Sequence, residues 1–277
     1  MLVATTYNIV DTYFVSDLGE SSVAAVGIMF SVMALIQAVG YTWGMGAGSE
    51  IARLLGKQKK RDAEQTLATA LAGGILSGAV MAVIFAVFRE DVVRLLGATD
   101  TSLAPAGQYG IYIMLAAPVM CGASVLNNAL RAEGQPYLAL LGILAGGLSN
   151  ALFDYILVRV LGLGIAGAGI ATLAGQGISL AIMYICVRSR CSVVRLHISD
   201  LWSFRYGVRI VRTGLPSFLR QGLMCFAAVM ISRNCRQYGD GAMAGITVAN
   251  KIFAVIFAVL VGYGQGFAPV CGFAYGA

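Results

Sequence analysis

Apolar runs of about twenty residues recur along almost the whole chain, and short segments between them hold most of its charged side chains. A helix of that length crosses the ~30 Å hydrocarbon core of a bilayer, where the backbone must satisfy its own hydrogen bonds. Of the 277 residues, 58% are hydrophobic and 12% are charged. An average soluble domain carries about 25% charged residues. The sequence therefore predicts an all-α, polytopic membrane protein.

Eight membrane spans are predicted from the positions of these runs. They cover about residues 2–16, 23–47, 66–88, 106–129, 137–160, 164–187, 212–232 and 244–270. The first run is too short to cross a bilayer, so we expect the chain to begin inside a truncated first helix. Lys and Arg are concentrated in the even-numbered loops, which the positive-inside rule places in the cytoplasm together with the N-terminus. Membrane topology thus accounts for the net charge of +6, and we expect no nucleic-acid partner.

The two ends of the chain resemble each other. The second span holds a Gly-x-Gly-x-Gly pattern over residues 44–48, and the eighth span repeats it over residues 262–266. Gly56, after the first copy, corresponds to Gly276, after the second. Six spans separate the copies, so both have the same orientation, as in transporters built from two parallel repeats. Chance similarity between Gly-rich helices is the alternative.

The repeat predicts two lobes. Residues 1–187 would form a six-helix N-lobe, residues 188–212 a cytoplasmic linker between the lobes, and residues 213–277 the first two helices of a C-lobe. A complete second copy would need about four more helices to match the six of the first. We therefore expect a chain truncated at both ends, with eight of twelve helices, that does not transport by itself.

Acidic side chains inside the apolar runs indicate function. Asp154 lies in the fifth span, and Asn150 precedes it by one helical turn on the same face. Asp11 lies in the first span. Carboxylates within a membrane are costly and usually handle ions, protons or substrate. Thr172, in the next span, could add its hydroxyl or bond to its own helix. These residues predict a cation site, with interhelical hydrogen bonding by Asp154 as the alternative.

Other polar residues within the spans are candidates for a cavity wall. Gln176, Gln221 and Lys251 are polar or charged and lie within predicted spans. Polar residues at such positions usually face a cavity or the interior of the helix bundle. Glu50 and Arg53, three residues apart at the end of the second span, are predicted to form a local surface ion pair.

Several stretches of the sequence closely resemble the multidrug and toxic-compound extrusion (MATE) family. These stretches are VDTYFV at residues 10–15, NNALRAEGQP at 127–136, NALFDYIL at 150–157, LGLGIAGAGIAT at 161–172 and GLPSF at 214–218. The resemblance implies twelve helices in two lobes around a V-shaped cavity. It also implies export of amphipathic or cationic compounds across the cell membrane in exchange for H⁺ or Na⁺, by a protein that is a monomer when full length.

The resemblance also assigns residues. It implies that Asp11, Asn150, Asp154 and Thr172 form the N-lobe site for the coupling cation, which is Na⁺ or a proton. No catalytic residue and no cofactor other than the coupling ion is implied. We therefore expect a transporter and not an enzyme.

Three alternatives are weighed against antiport. A flippase for lipid-linked precursors, from the same broad superfamily, would line its cavity with several Arg or Lys for phosphate groups. An intramembrane aspartyl protease could use Asp11 and Asp154 for acid and base work, but neither residue lies in a Gly-x-Gly-Asp stretch. The third alternative is a non-functional fragment of a transporter.

Overall fold

The computed structural model describes residues 20–96, 100–189, 192–196, 206–235 and 240–277, and Asp11 with the first predicted span lies outside them. The described part of the chain is helical. Its α-helices are α1 (Glu20–Gly56), α2 (Lys60–Val87), α3 (Arg89–Leu95), α4 (Asp100–Ala132), α5 (Pro136–Asp154), α6 (Gly164–Arg188), α7 (Gly207–Cys235) and α8 (Asp240–Gly276). A π-helix, Tyr155–Val160, continues α5 directly.

Six helical segments in the described part of the chain are long and apolar enough to cross a membrane. They lie within α1, α2, α4, α5 with the π-helix, α6 and α8. The 29-residue α7 is long enough but is not among them. Its first half carries Arg209, Arg212 and Arg220, and charged side chains lower the mean hydropathy of a span. The short helix α3 was not predicted.

The junction between the π-helix and α6 is built on two glycines. Gly162 and Gly164 adopt φ angles of +63° and +58°, in the left-handed region that residues with a Cβ rarely enter. The chain thereby reverses direction within a few residues, and α6 packs back against α5. This turn fixes the two helices that carry Asn150, Asp154 and Thr172 as neighbours.

Helix α4 lies at the centre of the first lobe and packs against α1, α2 and α6. One apolar cluster contains the fully buried side chains of Met29, Ile36 and Ile113. A second cluster contains Leu67 and Leu126 among its buried members. Apolar side chains also cover the outer surface of the lobe, where lipid tails are as apolar as the side chains they touch.

The two copies of the repeat meet at equivalent glycines. A Cβ added at Gly56 would overlap the carbonyl oxygen of Phe273, and a Cβ added at Gly276 would overlap that of Arg53. Arg53 and Phe273 each precede the glycine of their own copy by three residues, so the two contacts are equivalent. Such reciprocal contacts are expected across a two-fold axis. Small residues permit this close approach of the helix backbones. Helices α1 and α8 therefore cross tightly at the ends that carry these glycines.

Candidate functional site

The described members of the predicted cation site lie on the adjacent helices α5 and α6. Asp154 is 0% exposed, Asn150 5% and Thr172 6%. The two helices approach closely here, because a Cβ added at Gly175 of α6 would lie 2.7 Å from the Cβ of Asn150. Asn150 therefore faces α6, and Asp154 follows one turn later on the same helix. Asp11 belongs to residues that the structure does not describe.

These three side chains present oxygen atoms in a buried setting. The hydroxyl of Thr172 donates to the carbonyl oxygen of Ala168 at 3.0 Å, which leaves its lone pairs free to accept. The Nδ2 of Asn150 is buried and has no hydrogen-bond partner among the described residues. Carboxylate, amide and hydroxyl oxygens are ligands that hard cations prefer, and a carboxyl group can also carry a proton. The chemistry fits either a proton or Na⁺.

A π-helix begins immediately after Asp154. The amide of Leu161 donates to the carbonyl of Ile156 at 2.9 Å, and that of Leu163 to the carbonyl of Leu157 at 3.0 Å. Such wide turns are rare and are frequent at functional sites. Sequence reasoning predicted an uninterrupted helix here, because the apolar pattern of residues 155–160 is the same for either helix type.

A cavity of about 160 Å³ opens beside the predicted cation site. Asn150, Thr172 and Gln176 all line it, together with residues from α1, α4 and α8. Gln221 is half-buried and is not among the described residues that line this cavity. The side chain of Lys251 lies outside the described part of the structure.

Arg131, which sequence reasoning did not select, also lines this cavity. It lies in the last turn of α4, and its Nη1 donates to the Oε1 of Gln265 on α8. Its Nη2 donates to the Oδ1 of Asn128 at 3.0 Å. The guanidinium therefore connects α4 to α8 at the cavity wall. An arginine at the end of a span looks like a topology signal in the sequence, which is why it was overlooked.

Glu50 and Arg53 are part of a larger network than predicted. The predicted ion pair of Glu50 and Arg53 is present, but Glu50 is only 5% exposed, so the predicted position of the pair at the surface is wrong. Its carboxylate accepts hydrogen bonds from Arg53 Nη2 at 2.9 and 2.7 Å, and from Arg209 Nε at 3.1 Å. Because Arg209 belongs to α7, the network ties α1 to α7. The sequence separation of Glu50 and Arg209 concealed this contact.

The half-buried carboxylate of Glu133 anchors the segment that follows α6. Glu133 Oε2 accepts hydrogen bonds from Ser192 Oγ at 2.7 Å and from the amide of Val193 at 2.9 Å. Burial raises the pKa of the Glu133 carboxyl, and these hydrogen bonds oppose that shift by stabilising the charged form. Residues 192–193, in the predicted linker, are thereby held against the end of α4, outside the membrane spans.

Comparison with known proteins gives consistent matches. The MatE family model matches residues 1–156 and 216–277. A multidrug export protein, MepA of Staphylococcus aureus, is 26% identical over 271 residues, which is 97% of this chain and 60% of MepA.

Solved structures give similar results. The outward-facing conformation of a multidrug resistance MATE transporter is 29% identical with a TM-score of 0.82, and covers 100% of this chain and 60% of its own. A transporter from Pyrococcus furiosus, described as having a binding pocket of reversed polarity, is 30% identical with a TM-score of 0.84 and the same coverage. The chain thus spans about 60% of the length of these relatives.

Proposed function

Because the chain belongs to the MATE family of efflux transporters, we propose that it supplies the ion-binding lobe of an antiporter that exports amphipathic or cationic compounds in exchange for H⁺ or Na⁺. The match to MepA, which is named a multidrug export protein, supports this substrate class. The proposed activity is transport and involves no catalytic residue.

One observation carries the proposal: the fully buried carboxylate of Asp154 shares a helix face with Asn150, which lines the cavity. Burial of a carboxylate in a membrane span is costly, and binding of a proton or a cation lowers that cost. We assign cation binding to Asp154, Asn150 and Thr172, with Asp11 as the predicted fourth member.

The proposed cycle follows from the free-energy cost of burying the charged carboxylate of Asp154. On the outside, a proton or Na⁺ neutralises Asp154 and favours the arrangement of helices that releases the exported compound. On the inside, loss of the ion resets the site. A ligand shifts such an equilibrium only by its different affinity for the two states. Coupling therefore requires that ion and compound compete for one site or bias the same helices in opposite directions.

The proposal includes an orientation. Basic residues gather at the end of the protein that contains the α1–α2 loop, where residues 57–61 include Lys57, Lys59, Lys60 and Arg61. The positive-inside rule predicts that this end faces the cytoplasm when the protein lies in the plasma membrane. The full-length transporter is proposed to act as a monomer, without nucleic acid and without a cofactor other than the coupling ion.

The test is efflux of ethidium, a cationic aromatic dye, by the full-length transporter in cells or vesicles. Replacement of Asp154 by Asn keeps the shape of the side chain and removes its titratable charge. We expect gradient-driven efflux to fall at least about tenfold, because the coupling ion loses its charged ligand. Asp91→Asn, at an exposed position of α3, is the matched control and should leave efflux unchanged. Efflux by Asp154→Asn that is undiminished and still coupled to the ion gradient would contradict the proposal.

A lipid flippase is less well supported. Phosphate binding in such a protein calls for several cations at the cavity, whereas Arg131 is the single Arg or Lys among the lining residues that the structure describes.

A further inference from the structure

Helix α1 touches α7 through close backbone contacts at two glycines. A Cβ added at Gly46 of α1 would overlap the carbonyl oxygen of Ile210 on α7. A Cβ added at Gly214 of α7 would overlap the carbonyl oxygen of Thr42 on α1. Helix backbones approach this closely only where a residue has no side chain. We call these two contacts the α1–α7 seam.

The α1–α7 seam lies between the central cavity and the end of α1. Gln37 and Tyr41 of α1 line the cavity, and the residues that α1 contributes to the seam follow them along the helix, at Thr42 and Gly46. Beyond α1 comes the basic loop of residues 57–61, which is proposed to face the cytoplasm. The seam is therefore located where it would close the cavity towards the cytoplasm.

Few large side chains interlock across the seam. Helix α1 is joined to α4 by a cluster in which Met29, Ile36 and Ile113 are all fully buried. Among the residues that the structure describes, Ile210 is the one member that α7 contributes to either apolar cluster. Separation of α1 from α7 would thus expose less apolar surface than separation of α1 from α4, and it would cost less free energy. Helix α1 should remain with α4 when α7 moves away.

The ion pair next to the seam is built so that it can break. The carboxylate of Glu50 binds Arg53 of the same helix at 2.7 Å and Arg209 of α7 at 3.1 Å. If Arg209 left, Arg53 would still compensate the charge of Glu50, so no buried carboxylate would remain unpaired. The side chain of Arg209 is 52% exposed, and water can therefore solvate its guanidinium after the pair breaks.

We propose that the α1–α7 seam and the pair of Glu50 with Arg209 form a cytoplasmic latch. The latch holds the cavity closed towards the cytoplasm in this structure, and it separates when the transporter takes up a compound from that side. Arg53 keeps the charge of Glu50 compensated in both conformations. This inference rests on the proposed export function, which requires the cavity to open towards the cytoplasm at one stage of the cycle.

The experiment measures the distance between two spin labels on the full-length transporter by pulsed electron paramagnetic resonance. With the native cysteines replaced, the labels are attached at Lys57, just after α1, and at Val208, near the start of α7, which are both exposed. The conformation with separated helices gives the longer distance.

Two variants should increase the population with the longer distance. For Arg209→Gln we expect the ratio of separated to closed molecules to rise about threefold, as for loss of a partly exposed ion pair. For Gly214→Ala we expect a rise of at least about fivefold, since the added Cβ overlaps the carbonyl of Thr42 only while the seam is closed.

Each variant has a matched control. Gly222→Ala adds a methyl group to the same helix at a position where it meets no atom within 4 Å. Arg61→Gln removes an arginine whose ion pair, with Glu64, lies within α2 and joins no two helices. Both controls should leave the distance distribution unchanged.

A purely structural role for these contacts gives a different result. In that case Arg209→Gln would lower the free energy of unfolding and leave the distance distribution unchanged, which would overturn the latch. An equal shift for Gly214→Ala and Gly222→Ala would overturn it as well. If Gly214→Ala does not fold, Arg209→Gln decides alone, because that variant keeps Glu50 paired with Arg53.

The outcome separates this inference from the proposed function. If ethidium efflux depends on Asp154 but the distances in the variants are unchanged, only the latch is wrong. If the distances shift as expected but Asp154→Asn leaves ion coupling intact, only the coupling mechanism is wrong.

Discussion

Gly175→Ala provides a quantitative test of how the predicted cation site is built. Gly175 lies on α6 where this helix touches α5. An added Cβ would lie 2.7 Å from the Cβ of Asn150 and 2.8 Å from the carbonyl oxygen of Gly146. Carbon atoms pack best at about 3.5–4.0 Å. The two helices would therefore have to separate by about 1 Å, and Asn150 would move away from α6.

The matched control is Gly177→Ala, two residues further along α6, where an added Cβ meets no atom within 4 Å. Both variants gain the helix propensity of alanine, about 1 kcal/mol, so this gain cancels in their difference. What remains is the overpacking at Gly175, which costs about 1–3 kcal/mol. Gly175→Ala should be the less stable variant by that amount.

The assay is reversible unfolding of the detergent-solubilised protein, compared between the two variants. Ethidium efflux gives a second readout, which should fall for Gly175→Ala and be retained by Gly177→Ala. Equal free energies of unfolding for the two variants would refute the packing of α5 on α6 described here.

Two further predictions concern Glu50 and Glu133, two carboxylates outside the cation site. Glu50→Gln should lower the free energy of unfolding by about 2 kcal/mol, because the carboxylate binds Arg53 and Arg209 from two helices; unfolding measurements on the variant check this, and an unchanged value would contradict it. Because burial raises the pKa of Glu133 above its ordinary value of 4.5, the docked linker binds a proton more tightly than the undocked one. The docked linker should be most stable below pH 4.5, and it should lose stability as the pH rises from 4.5 towards the raised pKa of Glu133. Hydrogen exchange at residues 192–196, corrected for intrinsic rates, should therefore increase over that window; protection that rises with pH would contradict the assignment.

The membrane spans were predictable where an apolar run ends at glycines that mark a turn. The predicted spans at 137–160 and 164–187 agree with helices that cover 136–160 and 164–188. The Gly-x-Gly pair between them supplies the two left-handed residues that the turn requires. Hydropathy and glycine placement are both local properties, so a single sequence contains them.

The end of α1 was not predictable in the same way. The run was expected to stop near residue 47, whereas α1 continues to Gly56. Glu50 and Arg53 make this stretch polar, and their burial depends on Arg209, which is distant in sequence. Hydropathy reflects the cost of burying Glu50 and Arg53, but it does not contain the contact with Arg209 that compensates this cost.

The candidate site was predictable in part. The spacing of Asn150 and Asp154 placed them on one helix face, and both are buried. Of the two alternatives for Thr172, the structure shows the hydrogen bond to its own helix, at Ala168, and its part in a cation site stays a prediction. The π-helix after Asp154 and the contact of Arg131 with Gln265 were missed, since each depends on tertiary packing. The assignment of Asp11 remains a prediction, because that residue lies outside the described part of the chain.

The most direct test of the account is an infrared titration of buried carboxyl groups in the protein and in Asp154→Asn, with and without Na⁺. We predict that one carboxyl band titrates in the unmodified protein, is absent from Asp154→Asn, and is altered by Na⁺ or by a bound substrate. Identical titrations of the two proteins would show that Asp154 does not bind the coupling ion.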